Sequence, residues 1–126
     1  MTARVLVVDD VRSNRKLLQT RLRLEYFEVL AAANGPDALA ICEKGGCDIV
    51  LLDVKMPGMD GFEVCRRLRA APDTAHLPIV LLTAFAMKGD EEKIRQGGCE
   101  AYLSKPISVA KFFETIDHFL GPGSTE

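Results

Sequence analysis

Apolar runs punctuate the chain at Val5–Val8, Ile49–Leu52, Ile79–Leu82 and Ala101–Leu103, and each gives way to polar groups: Asp9 and Asp10, Asp53, Thr83, and Lys105. Short continuous runs of this kind, bounded by turn formers, read as strands buried on both faces. The pattern predicts strands over Arg4–Val8, Phe27–Ala32, Asp48–Asp53, Pro78–Thr83 and Ala101–Ser104. Between the strands the period becomes helical. A first helix is expected over Ser13–Glu25, with Val11, Leu18 and Leu22 on one face. A second opens at Pro36, carries Ala38, Leu39, Ile41 and Cys42 on its apolar side, and stops at Gly45-Gly46. A third is capped by Asp60, with Glu63 three residues on and Val64, Cys65 and Leu68 facing inward, and ends near Pro72.

The two remaining helices differ in character. Lys88–Gln96 contains a single aliphatic residue, Ile94, so packing holds it weakly and its conformation is easily biased. A solvated face and a movable partner surface both fit that composition. The final helix, Ser108–Leu120, carries Val109, Phe112, Phe113, Ile116, Phe119 and Leu120 at helical spacing, a stripe expected in the core. Five βα units with right-handed crossovers predict an α/β fold: a flavodoxin-like, doubly wound, five-stranded parallel sheet of order 2-1-3-4-5 flanked by five helices.

At 126 residues the chain is expected to form one domain, over residues 1–120, with a flexible tail over 121–126. Hydrophobic residues make up 48% and charged residues 27%, the balance of a globular protein. No apolar run approaches the roughly 20 residues that span a bilayer, and the start lacks a signal-peptide pattern. No membrane association and a cytoplasmic location are therefore expected. A net charge of −2 with interleaved signs gives no footprint for nucleic acid. Cys42 and Cys47 are separated by four residues without a second pair or a nearby His, so they, Cys65 and Cys99 are read as reduced structural thiols.

In a parallel α/β sheet, ligands bind beyond the carboxyl ends of the strands, so the polar residues that close the apolar runs meet at one mouth. Hard divalent cations such as Mg²⁺ take carboxylate oxygens with water and phosphate, a set that Asp9, Asp10 and Asp53 can begin. Asp53 ends the central strand and is the best candidate for a nucleophile that forms an aspartyl phosphate. Lys105 and the Thr83 hydroxyl are suited to hold the oxygens of the transferred group. Taken singly, an Asp at a strand end is ordinarily a cap or turn former, Thr83 a β-branched strand residue, Tyr102 a strand aromatic and Lys105 a solvated charge. Five coincidences at one mouth are harder to dismiss.

With those residues in place, the chain resembles the receiver domain of two-component response regulators over about residues 3 to 120. Val7-Val8-Asp9-Asp10, Leu51 through Gly61, Leu82-Thr83-Ala84 and Ser104-Lys105-Pro106 match its motifs in order. The resemblance implies a CheY-like fold and a phosphorelay role. Asp53 would take a phosphoryl group from a phosphohistidine on a histidine kinase or histidine phosphotransfer protein. Mg²⁺ would be bound by Asp10, Asp53 and the backbone carbonyl of Lys55, with Asp9 acting through water. Thr83 and Tyr102 would form a switch, and Pro106 would follow a cis bond that aims Lys105 at the site. A downstream protein would dock on the face built by the fourth helix, the fifth strand and the fifth helix, and the chain would be a monomer or a weak phosphorylation-dependent dimer.

Two subfamilies show through. Glu25 through Val29, Asn34-Gly35-Pro36 and Met56 through Phe62 look like the first receiver of PleD-type diguanylate cyclase regulators. Phe85 through Arg95 and Gly97 through Tyr102 look like DivK-type single-domain regulators of the bacterial cell cycle. A binding module without its own catalytic turnover is the resulting expectation, and a receiver excised from a larger regulator is its near alternative. A Mg²⁺-dependent phosphatase would need a second acid near Asp53, where the chain has Lys55. A flavin protein would need a small, hydroxyl-rich first turn, where the chain has Val11 through Arg15. Lys55 is itself unusual, a cation two residues past Asp53 that either alters the lifetime of a phosphoryl group there, by stabilising the anion or crowding an attacking water, or simply points to solvent.

Overall fold

The computed structural model describes residues 3–24, 27–83, 101–104 and 109–120. Five strands form one parallel sheet: β1 (Arg4–Val8), β2 (Glu28–Ala32), β3 (Ile49–Asp53), β4 (Ile79–Thr83) and β5 (Ala101–Ser104), in the order β2-β1-β3-β4-β5. The helices are α1 (Arg12–Leu24), α2 (Gly35–Glu43), α3 (Gly61–Ala70) and a C-terminal helix, Val109–Leu120. The expected strand order is the one observed. The helix expected over Lys88–Gln96, Lys105, Pro106 and the tail over 121–126 lie outside the described residues.

Alternation along the central strands divides the core into two layers. Leu6, Val8, Val50, Leu52, Ile79 and Leu81 face the layer holding Ala38, Cys42, Val64, Cys65 and Leu68 of α2 and α3. Val5, Val7, Ile49, Leu51, Val80 and Leu82 face the other, which holds Leu22 of α1 and Phe112 of the C-terminal helix. Every residue of β3 and β4 is buried, as continuous apolar runs covered on both faces require. Each fully buried aliphatic side chain contributes about 1.5–3 kcal/mol, so these strands are the anchor of the fold. On the second layer Phe27 stacks on Phe113 at 5.8 Å and meets Phe112 edge-on at 6.4 Å, a cluster that holds the C-terminal helix to the start of β2.

Two expectations need correction. Val11 does not join the buried face of the first helix: it precedes α1 and is 45% exposed, while Leu22 alone of the predicted trio is fully buried and Leu18 is half-buried. Nor is the second strand buried on both faces. β2 pairs only with β1, and as an edge strand it buries Ala32 while Glu28 and Ala31 stay exposed.

The helix ends follow local chemistry. Asn34 caps α2 by accepting the Asp37 N–H at 2.9 Å, and Asp60 caps α3 by accepting the Glu63 N–H at 2.9 Å. The Glu63 carboxylate pairs with Arg66 and Arg67 one turn on. At the end of α2 the chain reverses in a Schellman turn, with Gly45 N–H donating to the Cys42 carbonyl at 3.0 Å and Gly46 N–H to the Ile41 carbonyl at 3.4 Å. Gly45 supplies the positive φ of 71° that this turn demands.

Candidate functional site

Register places the site. Val8 of β1 is level with Leu52 of β3, and Asp53 is level with Leu82 of β4, so Asp9, Asp53 and Thr83 stand within one residue of a common line at the carboxyl edge. This edge is where a doubly wound sheet opens a crevice, between strands whose crossovers go to opposite faces. The carboxylates of Asp9, Asp10 and Asp53 converge there, with one oxygen from each within 4.8 Å of the others. Asp9 is fully buried, Asp53 is 6% exposed, and Asp10 faces solvent.

Local structure aims these groups. The Asp9 carboxylate accepts the Val11 N–H at 2.9 Å, an Asx turn that carries the chain from β1 toward α1. Arg15, from the first turn of α1, donates to the Asp9 backbone carbonyl at 2.7 Å. In the sequence, only the place of Arg15 one helical turn beyond the acidic pair points to this contact. After Asp53 the chain is pinned from two sides, by Val54 N–H to the Leu82 carbonyl at 3.1 Å and Gly61 N–H to the Val54 carbonyl at 2.9 Å. Gly61 packs so closely under the strand end that a β-carbon there would stand 2.5 Å from the Asp53 carbonyl oxygen. Nothing in the sequence pattern alone marks that approach, beyond a glycine directly after a capping Asp.

Repulsion within the cluster is substantial. Two carboxylate oxygens within 4.8 Å of each other, as in buried Asp9 and Asp53, repel by at least about 3.5 kcal/mol at an effective dielectric of about 20. Asp10 is exposed, and solvent screens its share. An octahedral Mg²⁺ holds opposite oxygens about 4 Å apart, twice its metal–oxygen distance, so this all-oxygen donor set fits a hard divalent cation after a small contraction. Such a cation would turn the repulsion into attraction.

The other predicted residues are distributed around this cluster. Thr83 is buried at the end of β4, in register with Ser104. Lys55 is exposed and, with Val54, Met56, Pro57 and Asp60, lines a cavity of about 390 Å³ in the loop that follows Asp53. Tyr102 stands in β5, in register with Leu81. Lys105 and Pro106, which follow β5, lie outside the described residues.

Known proteins resemble this chain in sequence and in fold. The sequence profile of the response regulator receiver domain matches residues 5–117. The polar-differentiation response regulator DivK of Brucella ovis is 44% identical over 121 residues, which cover 96% of this chain and 98% of that protein. The structure of the chemotaxis protein CheY4 of Vibrio cholerae superposes with a TM-score of 0.88 at 31% identity, covering 94% of this chain and 99% of that one. The receiver domain of the sensor histidine kinase PA1611 of Pseudomonas aeruginosa, solved with a magnesium ion coordinated in its active-site cleft, superposes with a TM-score of 0.87 at 30% identity, covering 96% of this chain and 99% of that one. Agreement of this extent in sequence and in fold places the chain in the response regulator receiver domain family.

Proposed function

We propose that the chain is a phosphorylation-controlled relay, which accepts one phosphoryl group on Asp53 and signals by binding another protein. The observation that carries this reading is the convergence of Asp9, Asp10 and Asp53 at the mouth of the sheet, with Thr83 ending the neighbouring strand. A Asp53 carboxylate oxygen attacks the phosphorus of a phosphohistidine on a histidine kinase or phosphotransfer protein. The O–P bond forms as the P–N bond breaks, and the imidazole leaves with its electron pair. Asp10, Asp53 and the Lys55 carbonyl would hold Mg²⁺, with Asp9 acting through water, and the cation would supply charge stabilisation for the transferred group. Thr83 and Lys105 hold its remaining oxygens. The chain thus acts as a stoichiometric acceptor and not as a turnover catalyst.

The signal then leaves through a switch. Thr83 moves toward the phosphoryl oxygens and Tyr102 turns into the vacated space, which remodels the face of β5, the C-terminal helix and the helix expected over Lys88–Gln96. Similarity to DivK along nearly its whole length supports a role in polar differentiation and cell-cycle control, exercised through a downstream protein bound on that face.

Intact-protein mass after incubation with a small phosphodonor and Mg²⁺ tests this reading. The parent should gain one phosphoryl group, and Asp53→Asn or a chelator should abolish the gain. Multiple turnover of a phosphate ester, or an undiminished adduct on Asp53→Asn, would refute it.

A further inference from the structure

The Schellman turn that ends α2 has a second consequence. By reversing the chain within five residues it brings Cys47, just before β3, back against Cys42 in the last turn of α2, with the two sulfurs 3.7 Å apart. Both residues are buried, Cys42 at 2% and Cys47 at 5% exposure, and neither is in a disulfide. A disulfide needs the sulfurs at about 2.05 Å, so closure asks for about 1.7 Å of approach, shared between two side-chain rotations. We propose that Cys42 and Cys47 are a dithiol–disulfide site, oxidised by a small hydroperoxide and restored by a thiol reductant.

The surroundings suit that chemistry. The Cys42 thiol is pushed up by its hydrogen bond with Cys47 and by burial, while Cys47 is lowered by the same contact, with Arg4 adding to the effect. Burial and Asp48 act against ionisation of Cys47 and do not outweigh it. Cys47 is the more exposed of the two and directly follows Gly46, which lines a groove beside the turn, so its sulfur attacks and Cys42 is the resolving thiol. That groove, lined by Arg4, Phe27, Leu30 and Gly46, has a volume of about 600 Å³. The burial of both sulfurs favours a reagent the size of hydrogen peroxide over a protein oxidant.

The step balances as follows. The Cys47 sulfur attacks one peroxide oxygen, the O–O bond breaks, and the released hydroxide takes a proton to become water. The Cys42 sulfur then attacks the sulfenic sulfur of Cys47, the S–O bond breaks, and a second water leaves. Each sulfur is oxidised by one electron and each peroxide oxygen is reduced by one.

This site stands apart from the acidic cluster. Cys47 and Asp53 are six residues apart along β3 and its approach, about 20 Å of extended chain, at opposite ends of the sheet. The reduced chain, Cys42→Ser, Cys47→Ser and Asp53→Asn are exposed to hydrogen peroxide without phosphodonor, alkylated, and mapped by mass under non-reducing conditions. The parent and Asp53→Asn should each lose two hydrogens and two alkylatable thiols, yield a peptide joined through Cys42 and Cys47, and recover on reduction. Neither Ser variant should give that loss. Oxyacids without a link, a bridge to Cys65 or Cys99, or unchanged thiols after exposure that fully oxidises the unfolded chain would overturn the proposal.

Discussion

Gly61→Ala offers a direct test of how tightly α3 is seated beneath Asp53. The added β-carbon would stand 2.5 Å from the Asp53 carbonyl oxygen and 2.9 Å from the Val54 Cα. Ordinary contact begins near 3.4 Å, so the shortfall at the carbonyl is about 0.9 Å. Both obstacles are backbone and cannot rotate away. Two effects compete. Alanine gains up to about 1 kcal/mol in helix propensity over glycine, whereas overpacking that forces a backbone shift costs about 1–3 kcal/mol. Rigid obstacles put this case at the upper end, for a net loss of about 1–2 kcal/mol, or about 4–8 °C in melting temperature for a domain of this size. Gly35→Ala is the internal control. Its β-carbon would meet Met59 Sδ at 2.7 Å and Val64 Cγ2 at 2.9 Å, both side-chain atoms, and the Met side chain can move. Urea unfolding followed by far-ultraviolet circular dichroism should rank Gly61→Ala well below Gly35→Ala. Phosphoryl labelling of Gly61→Ala should fall even where it is folded, because the Asp53 backbone must shift. A Gly61→Ala protein as stable as the parent, or less perturbed than Gly35→Ala, would refute the reasoning.

Two further outcomes follow from the acidic cluster and its flank. Mg²⁺ at ten times its dissociation constant should stabilise the parent by about 1.4 kcal/mol, seen as a rise of several degrees in melting temperature. Asp10→Asn should gain slightly in metal-free stability, through relief of repulsion, and lose most of that response; equal Mg²⁺ shifts in both proteins would exclude Asp10 as a ligand. For Lys55, a cation within about 4 Å of the phosphoryl group in water is worth about 1 kcal/mol, so Lys55→Ala should shorten the aspartyl phosphate lifetime about fivefold. Equal decay rates would show that the exposed side chain plays no part.

Much of this protein was legible in its sequence because the relevant physics is local. Continuous apolar runs require strands covered on both faces, and β1, β3 and β4 are buried as their composition demands. Asp60 with Glu63 marked the start of α3, because a side-chain cap depends on residues three apart and on nothing distant. Even the carboxylate mouth could be anticipated, since parallel strands of right-handed crossover must all end at the same edge. What only the tertiary structure decided are distances between residues whose spacing carries no signal. The edge place of β2 was expected from the strand order, but that Glu28 and Ala31 stay exposed while Ala32 is buried depends on what packs over the sheet there. Val11 is exposed because the Asx turn at Asp9 swings it out before α1 begins. Cys42 and Cys47 looked like two unrelated structural thiols. They became a pair because a positive φ at Gly45 folds the chain back on itself, and a spacing of four intervening residues says nothing about contact until that turn is made. Periodicity reports which way a side chain faces; closure and packing decide what it meets there.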